Sequence, residues 1–460
     1  MTTTLAAPAP VIAPPRTDTL ALLAYSGPMI ALSIVNMLLI AYVPTFYAAE
    51  MGVNIAKVGG IFLAARLFDA IIDPVIGNLS DRTRSRWGRR KPWVALGTPA
   101  FMLTVWFFFQ PPARVGMTYL AVAAFLFYIA YASVIIPFMS WGAEIRRDYD
   151  GRTRVTTMRE AAGICGTILA TALPLLLLPL IVAGDPTLRQ ILGVLAGTII
   201  VVLAITVPLA LALAPRGDYA AHEGLGLYSA LGLLRRNRPL LRMLGAIFII
   251  WLGGAFHNAT ILFWVTDALG LARSDFLGLV LGQYMVALLS LPFWSTLAGR
   301  IGRHRVVVLG AMGYFLAHQG FHFVEHGAFW QAFAVYLVSG FMTPVIWVMP
   351  PAIIADTVEY DMMRGASDDS ALYMALYAFV QKTALALGVG LALGLAGAMG
   401  FNPQAPITPQ GLFGLRLVTL ILPGCIAVFG CAMIWNYPIT QARHAVVRRW
   451  LARRELRAAA

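Results

Sequence analysis

Residues 66–77 read RLFDAIIDPVIG and set an arginine and two carboxylates inside an otherwise apolar run. Asp69 and Asp73 are four residues apart, so on a helix they share a face, separated by about 6 Å along its axis. Arg66, three residues before Asp69, lies on the same face. A carboxylate at mid-bilayer costs about 2.5–3.5 kcal/mol on insertion scales, and a second on that face adds repulsion. Such a pair needs a cation: Arg66 itself, a basic residue on another helix, or a bound ion. Lys382, in YAFVQKTALALG, is the only lysine in the interior of an apolar span. Two carboxylates offer several oxygens to a hard alkali cation such as Na⁺; without one, a carboxyl can take a proton or pair with a lysine. Filling and emptying this site changes the charge and packing between the helices that bear it, which is what coupling an ion gradient to a conformational cycle requires. The alternative is a static ion-pair network that only holds helices together. Pro74 removes a helical N–H, which either frees a carbonyl for an ion's shell or simply kinks the helix.

The elements that must carry these residues are apolar helices. The chain has 460 residues, 59% of them hydrophobic and only 12% charged, with a mean hydropathy of +0.76. A water-soluble chain would carry about 25% charged residues. Runs of roughly 20 apolar residues, each enough to cross about 30 Å of hydrocarbon, recur from Leu20 to Tyr437. Twelve spans are predicted, at about 20–48, 57–79, 93–111, 116–143, 154–183, 188–214, 240–266, 275–298, 305–324, 328–355, 370–399 and 411–437. The fold class is therefore an all-α membrane protein. Residues 1–19, with several prolines and no cleavage-like site, read as a cytoplasmic tail rather than a signal peptide. Cys165, Cys425 and Cys431 lie in apolar spans without metal-ligand spacing and read as packing residues.

The net charge of +13 is topological. Alternate loops hold Arg82, Arg84, Arg86, Arg89, Arg90 and Lys91; Arg146, Arg147, Arg152 and Arg154; Arg216, Arg235, Arg236 and Arg238; Arg300, Arg303 and Arg305; Arg364; and the tail from Arg443 to Arg457. The opposite loops hold only Lys57, Arg114, Arg189 and Arg273. By the positive-inside rule both termini and the basic loops are cytoplasmic, in a cell inner membrane, and no nucleic-acid partner is implied. The tail RHAVVRRWLARRELR is either a basic amphipathic helix on anionic lipid or a tail made basic by topology.

The polar stretch from Pro215 to Pro239 divides the spans six and six. The units are a tail at 1–19, a bundle at 20–214, a central loop at 215–239, a second bundle at 240–437 and a basic tail at 438–460. GNLSDRTRSRWGRRK follows the second span and AGRIGRHR the eighth, the matching place in the second half. Two six-helix pseudo-repeats of this kind are the architecture of a major-facilitator transporter, with substrate between the halves near mid-membrane.

The stretch from about Phe62 to Trp93, with NLSDRTRSRWGRRKPW, resembles the glycoside-pentoside-hexuronide:cation symporter family of the major facilitator superfamily. The likeness continues more thinly through IIPFMSWGAEIRRDYDGRTRVTTMRE and through IADTVEYDMM with FVQK. The resemblance implies symport of a sugar or glycoside driven by Na⁺, Li⁺ or H⁺ through alternating access. It makes Asp69 and Asp73 the paired cation carboxylates, Lys382 the helix-eleven lysine beside them, and Arg159 the helix-five arginine associated with sugar. Three positions depart from the melibiose-type pattern: a helix-four carboxylate is replaced by Ile135, a helix-one aspartate by Pro28 and Met29, and a tryptophan by Met139, with Trp141 two residues on. An apolar-leaning site also suits a large aglycone or an amphiphile such as a lysophospholipid.

Asn36, Tyr131, Ser133, Tyr373, Tyr377 and Gln381 are further candidates to line a cavity, the last three forming a stripe at helical spacing; interhelical hydrogen bonds are the competing reading. The substrate set is thus Arg159, Tyr131, Trp141, Tyr373, Tyr377 and Gln381. Arg66, Asp81, Arg82, Arg89 and Asp356 form the expected gating set, with Asp356, Glu359 and Asp361 neutralised by Arg364 or the basic loops. His257, Asn258, His318, Gln319 and His322 read as packing or interfacial residues. No GxxxxGK[ST], GxSxG or HExxH occurs, which disfavours ATP-driven transport and membrane-embedded hydrolysis. No enzymatic activity and no cofactor beyond the coupling ion are expected.

Overall fold

The computed structural model describes residues 19–113, 115–145, 149–216, 237–363 and 370–439, together with 446 and 450. The described residues form helices and connecting loops. The first span is broken into α1 (Thr19–Ser26), α2 (Pro28–Met37), a π-turn at Leu38–Tyr42 and α3 (Val43–Ala49). Then follow α4 (Ile55–Arg82), α5 (Lys91–Phe109), α6 (Met117–Ile145), α7 (Tyr149–Ile181) and α8 (Leu188–Leu213). The second half comprises α9 (Arg238–Phe263), α10 (Arg273–Ile301), α11 (Arg303–Gln319), α12 (Phe329–Met363), α13 (Ser370–Ala398), α14 (Pro409–Arg416) and α15 (Leu422–Trp435).

Among the described residues, eleven helices are long and apolar enough to cross a membrane. α4 is set apart by the charges in its middle. At 28 residues it is about 42 Å long, started by Asn54, whose side chain accepts from Ala56 N and Lys57 N. Most of the central loop and the C-terminal tail, with Arg364, lie outside the described residues.

The two halves meet closely at the arginine-poor end. There α4 runs along α13, and glycines set the spacing: a methyl on Gly59 would come 2.9 Å from the Gly390 carbonyl, and one on Gly397 would come 2.9 Å from Ile55. One apolar core joins the first half to this end of the second, through Phe263, Phe276, Val389, Leu393 and Val418. The arginine-rich ends of α9–α13 and α15 pack as a separate core around Trp251, Trp294, Val307, Ile354 and Tyr373. Polar contacts at that end tie helices within one half: Lys91 donates to the Leu211 and Ala214 carbonyls at 2.8 and 2.7 Å, and Arg303 pairs with Asp356.

Candidate functional site

α4 presents Arg66, Asp69 and Asp73 on one face, as their spacing requires, and α13 brings Lys382 to meet them. The Lys382 ammonium donates to Asp73 and lies 3.5 Å from Asp69 Oδ2. Arg66 lies 4.0 Å from the same Asp69 oxygen, its guanidinium 5.1 Å from the centre of the Tyr128 ring. Asp69 is buried, only 1% exposed, and Lys382 is about a third exposed, at 35%. Two cations thus face two carboxylates, and the cluster is neutral overall. Each carboxylate keeps one oxygen, Oδ1, that is buried and accepts no hydrogen bond among the described residues. Buried carboxylate oxygens without partners are costly, and they supply the kind of ligand a small monovalent cation takes. Pro74, inside α4, leaves the Ala70 carbonyl without its helical donor.

The candidate substrate residues do not all converge. Tyr131 is buried beside this cluster, its hydroxyl accepting from Asn36 Nδ2 at 3.3 Å and its ring stacked on Phe127. Gln381 is half-buried and precedes Lys382. Arg159 faces α1, beside the Tyr25 hydroxyl, and pairs with Glu160 at 2.8 Å. Trp141 lies away from this cluster: it is fully buried, donates its indole N–H to the Pro215 carbonyl at 2.7 Å and packs under Lys91. The Tyr373 hydroxyl donates to Asp361 at 2.8 Å and accepts from Asn237 at 2.9 Å. Tyr377 packs in the second apolar core, so the expected stripe does not act as a unit.

The gating set is also rearranged. Asp81 and Arg89 do meet, at 3.9 Å, but within a larger cluster in which Arg90 pairs with Asp81 and donates to Ser80 Oγ at 2.5 Å. Glu144 of α6 accepts from Arg89 at 2.7 Å and from Arg90 at 2.9 Å. Arg82 is exposed and makes no ion pair among the described residues. Arg66 belongs to the carboxylate site, and Asp356 pairs with Arg303. His257 and His318 pack ring to ring, with centroids 4.0 Å apart, and their Nδ1 atoms lie 2.9 and 2.8 Å from the Thr419 and Tyr314 carbonyls, in agreement with a packing role.

Sequence reasoning missed Glu144, Glu160 and Trp347. Trp347, on α12, is 49% exposed, and meets Trp251 edge-on at 4.5 Å, while the buried Trp251 indole N–H has no acceptor among the described residues. The only available signal was an aromatic pair at membrane depth, which composition cannot separate from lipid-facing residues.

Long apolar helices, with an ion-pair cluster between α4 and α13, define a multi-pass membrane protein. The MFS/sugar transport protein family model matches residues 24–441, and the chain belongs to that family. It is 26% identical to the uncharacterized symporter sll1374 of Synechocystis sp., over 94% of this chain and 96% of that one. It is 25% identical to the glucuronide carrier protein homolog of Escherichia coli, over 87% and 88%. A solved structure of the nucleoside transporter NupG, in a point-mutant form, superposes with a TM-score of 0.62 at 14% identity, covering 90% of this chain and all of that one, which supports the fold.

Proposed function

We propose that this protein is a secondary symporter that carries a sugar or glycoside with one monovalent cation, Na⁺ or H⁺, by alternating access. In this reading α4 adds the second crossing in chain order to the other eleven and makes twelve, the halves are 20–214 and 240–437, and both termini face the cytoplasm of a cell with this chain in its inner membrane. The arginine-poor end is then outside, and the described state is closed outside.

The observation that carries the reading is the bond from Lys382 of the second half to the acidic pair of the first. While Lys382 occupies both carboxylates the site is neutral, and an entering cation must take its place on the Asp69 and Asp73 oxygens. Cation entry therefore changes which half holds the charge, and so biases the two halves between arrangements. The Oδ1 atoms of both carboxylates, which the two basic side chains leave unpartnered among the described residues, offer an entering cation its ligands. Arg159 supplies a guanidinium for hydroxyl or carboxylate groups of the solute, and the half-exposed Trp347 supplies an aromatic face.

Uptake into proteoliposomes tests this directly, with glycosides and glucuronides as solutes, lysophospholipids as the competing class, and an imposed Na⁺ or pH gradient. Accumulation of a glycoside that depends on one gradient is expected. Gradient-dependent uptake of lysophospholipid alone would reassign the substrate, and solute movement indifferent to every cation gradient would refute coupling.

A further inference from the structure

We propose that Asp185 and Glu50 of the first half form a latch that holds the outer mouth shut by capping, across the seam, the first turn of α10. Helix α10 begins with alanine at its N-cap, Ala272, which has no side chain to accept from the helix's free amides. Asp275 turns back and, among the described residues, takes only the Ala272 N–H, at 3.0 Å. The next two amides are satisfied from the other half: Arg273 N and Ser274 N each donate to Asp185 at 3.1 Å, and the Ser274 hydroxyl donates to it at 3.2 Å.

Glu50 completes the latch. It accepts from Leu188 N at 2.6 Å and Arg189 N at 3.0 Å, the start of α8, and lies 3.6 Å from the Arg273 guanidinium. The starts of two helices, one from each half, are thereby joined through two carboxylates and one arginine, with the carboxylates at the positive ends of the helix dipoles. The contact is at the same end as the close glycine packing of α4 on α13 and the Gln404 bond to the Ala48 carbonyl.

Parting the halves strips the first turn of α10 of this acceptor, and Ala272 cannot replace it. Removing a capping carboxylate shifts such an equilibrium by roughly fivefold to thirtyfold. The latch goes beyond the symport reading, because it requires only that the halves separate at this end, whatever the solute or ion.

Hydrogen–deuterium exchange of the full chain in nanodiscs tests it. In Asp185→Ala, exchange should quicken about tenfold both at the start of α10 and in the α4 and α13 seam, residues 55–63 and 389–397. Adding Ala272→Ser gives α10 a cap of its own, so protection at residues 273–276 should return while the seam remains fast. Arg273→Gln, which cuts the Glu50 arm, should also quicken the seam. Seam exchange unchanged in Asp185→Ala, or returned to the wild-type rate by Ala272→Ser, would overturn the latch and leave Asp185 as a cap only.

Discussion

Replacing Asp73 by asparagine keeps the shape of the site and removes one negative charge. In the wild type, Arg66 and Lys382 balance Asp69 and Asp73, with the longer separations at 4.0 and 3.5 Å. In Asp73→Asn the empty site already carries one excess positive charge, and a bound cation would raise it to two. At about 4 Å and an effective dielectric near 20, each unit pair is worth about 4 kcal/mol, which is about a thousandfold in affinity. Lys382 is 35% exposed, so solvent screening reduces this toward a hundredfold. The assay is thermal unfolding of the purified protein against NaCl, LiCl and choline chloride at constant ionic strength, alongside gradient-driven uptake in proteoliposomes. The midpoint for whichever ion stabilises the wild type should rise at least a hundredfold, and coupled uptake should vanish while solute exchange persists. An Asp73→Asn protein with an ion midpoint within tenfold of wild type would refute the electrostatic reasoning.

Lys382→Ala removes the competitor for the same oxygens, so the site should bind a monovalent cation about tenfold or more tighter by thermal shift, yet fail to release it in uptake cycles; weaker binding would contradict the displacement scheme. Arg159→Ala should raise the half-saturating concentration of the transported glycoside about tenfold or more, consistent with loss of charged hydrogen bonds worth about 1.5–3 kcal/mol, without altering the ion midpoint. Glu144→Gln leaves two nearly buried arginines short of charge and should cost about 3 kcal/mol, seen as a lower unfolding midpoint. Asp81→Asn, at a carboxylate 43% exposed, should lower it less. Equal losses in the two variants would show that burial does not set the strength of this cluster.

Much of the site could be read from the sequence because its constraints are local. The interval between Asp69 and Asp73 dictates a shared face on any helix, and the cost of burying both dictates a cation. Lys382 followed because charged residues inside apolar spans are so few. Eleven of the spans followed from length and apolarity, whereas the three interior charges of α4 break its apolar run and keep it out of that set.

What was not legible depends on tertiary partners. Trp141 and Tyr373 look like cavity residues by type, and only the carbonyl of Pro215 and the carboxylate of Asp361 reveal that their polar atoms are spent. Glu144 and Asp185 meet groups far away in the sequence, so nothing in their neighbourhoods announced those contacts. The first span's division at Gly27 and its π-turn at Leu38–Tyr42 likewise reflect packing, since the apolar run continues through both.

The central claim is that the acidic pair on α4 is filled and emptied by a small cation. Charge displacement in proteoliposomes on a solid-supported membrane, after rapid jumps in Na⁺, Li⁺ or H⁺, measures this directly. A transient current is expected in the wild type with at least one of these ions, and none in Asp69→Asn with Asp73→Asn. A doubly substituted protein that moves as much charge as the wild type, or a wild type silent to all three ions, would contradict the account.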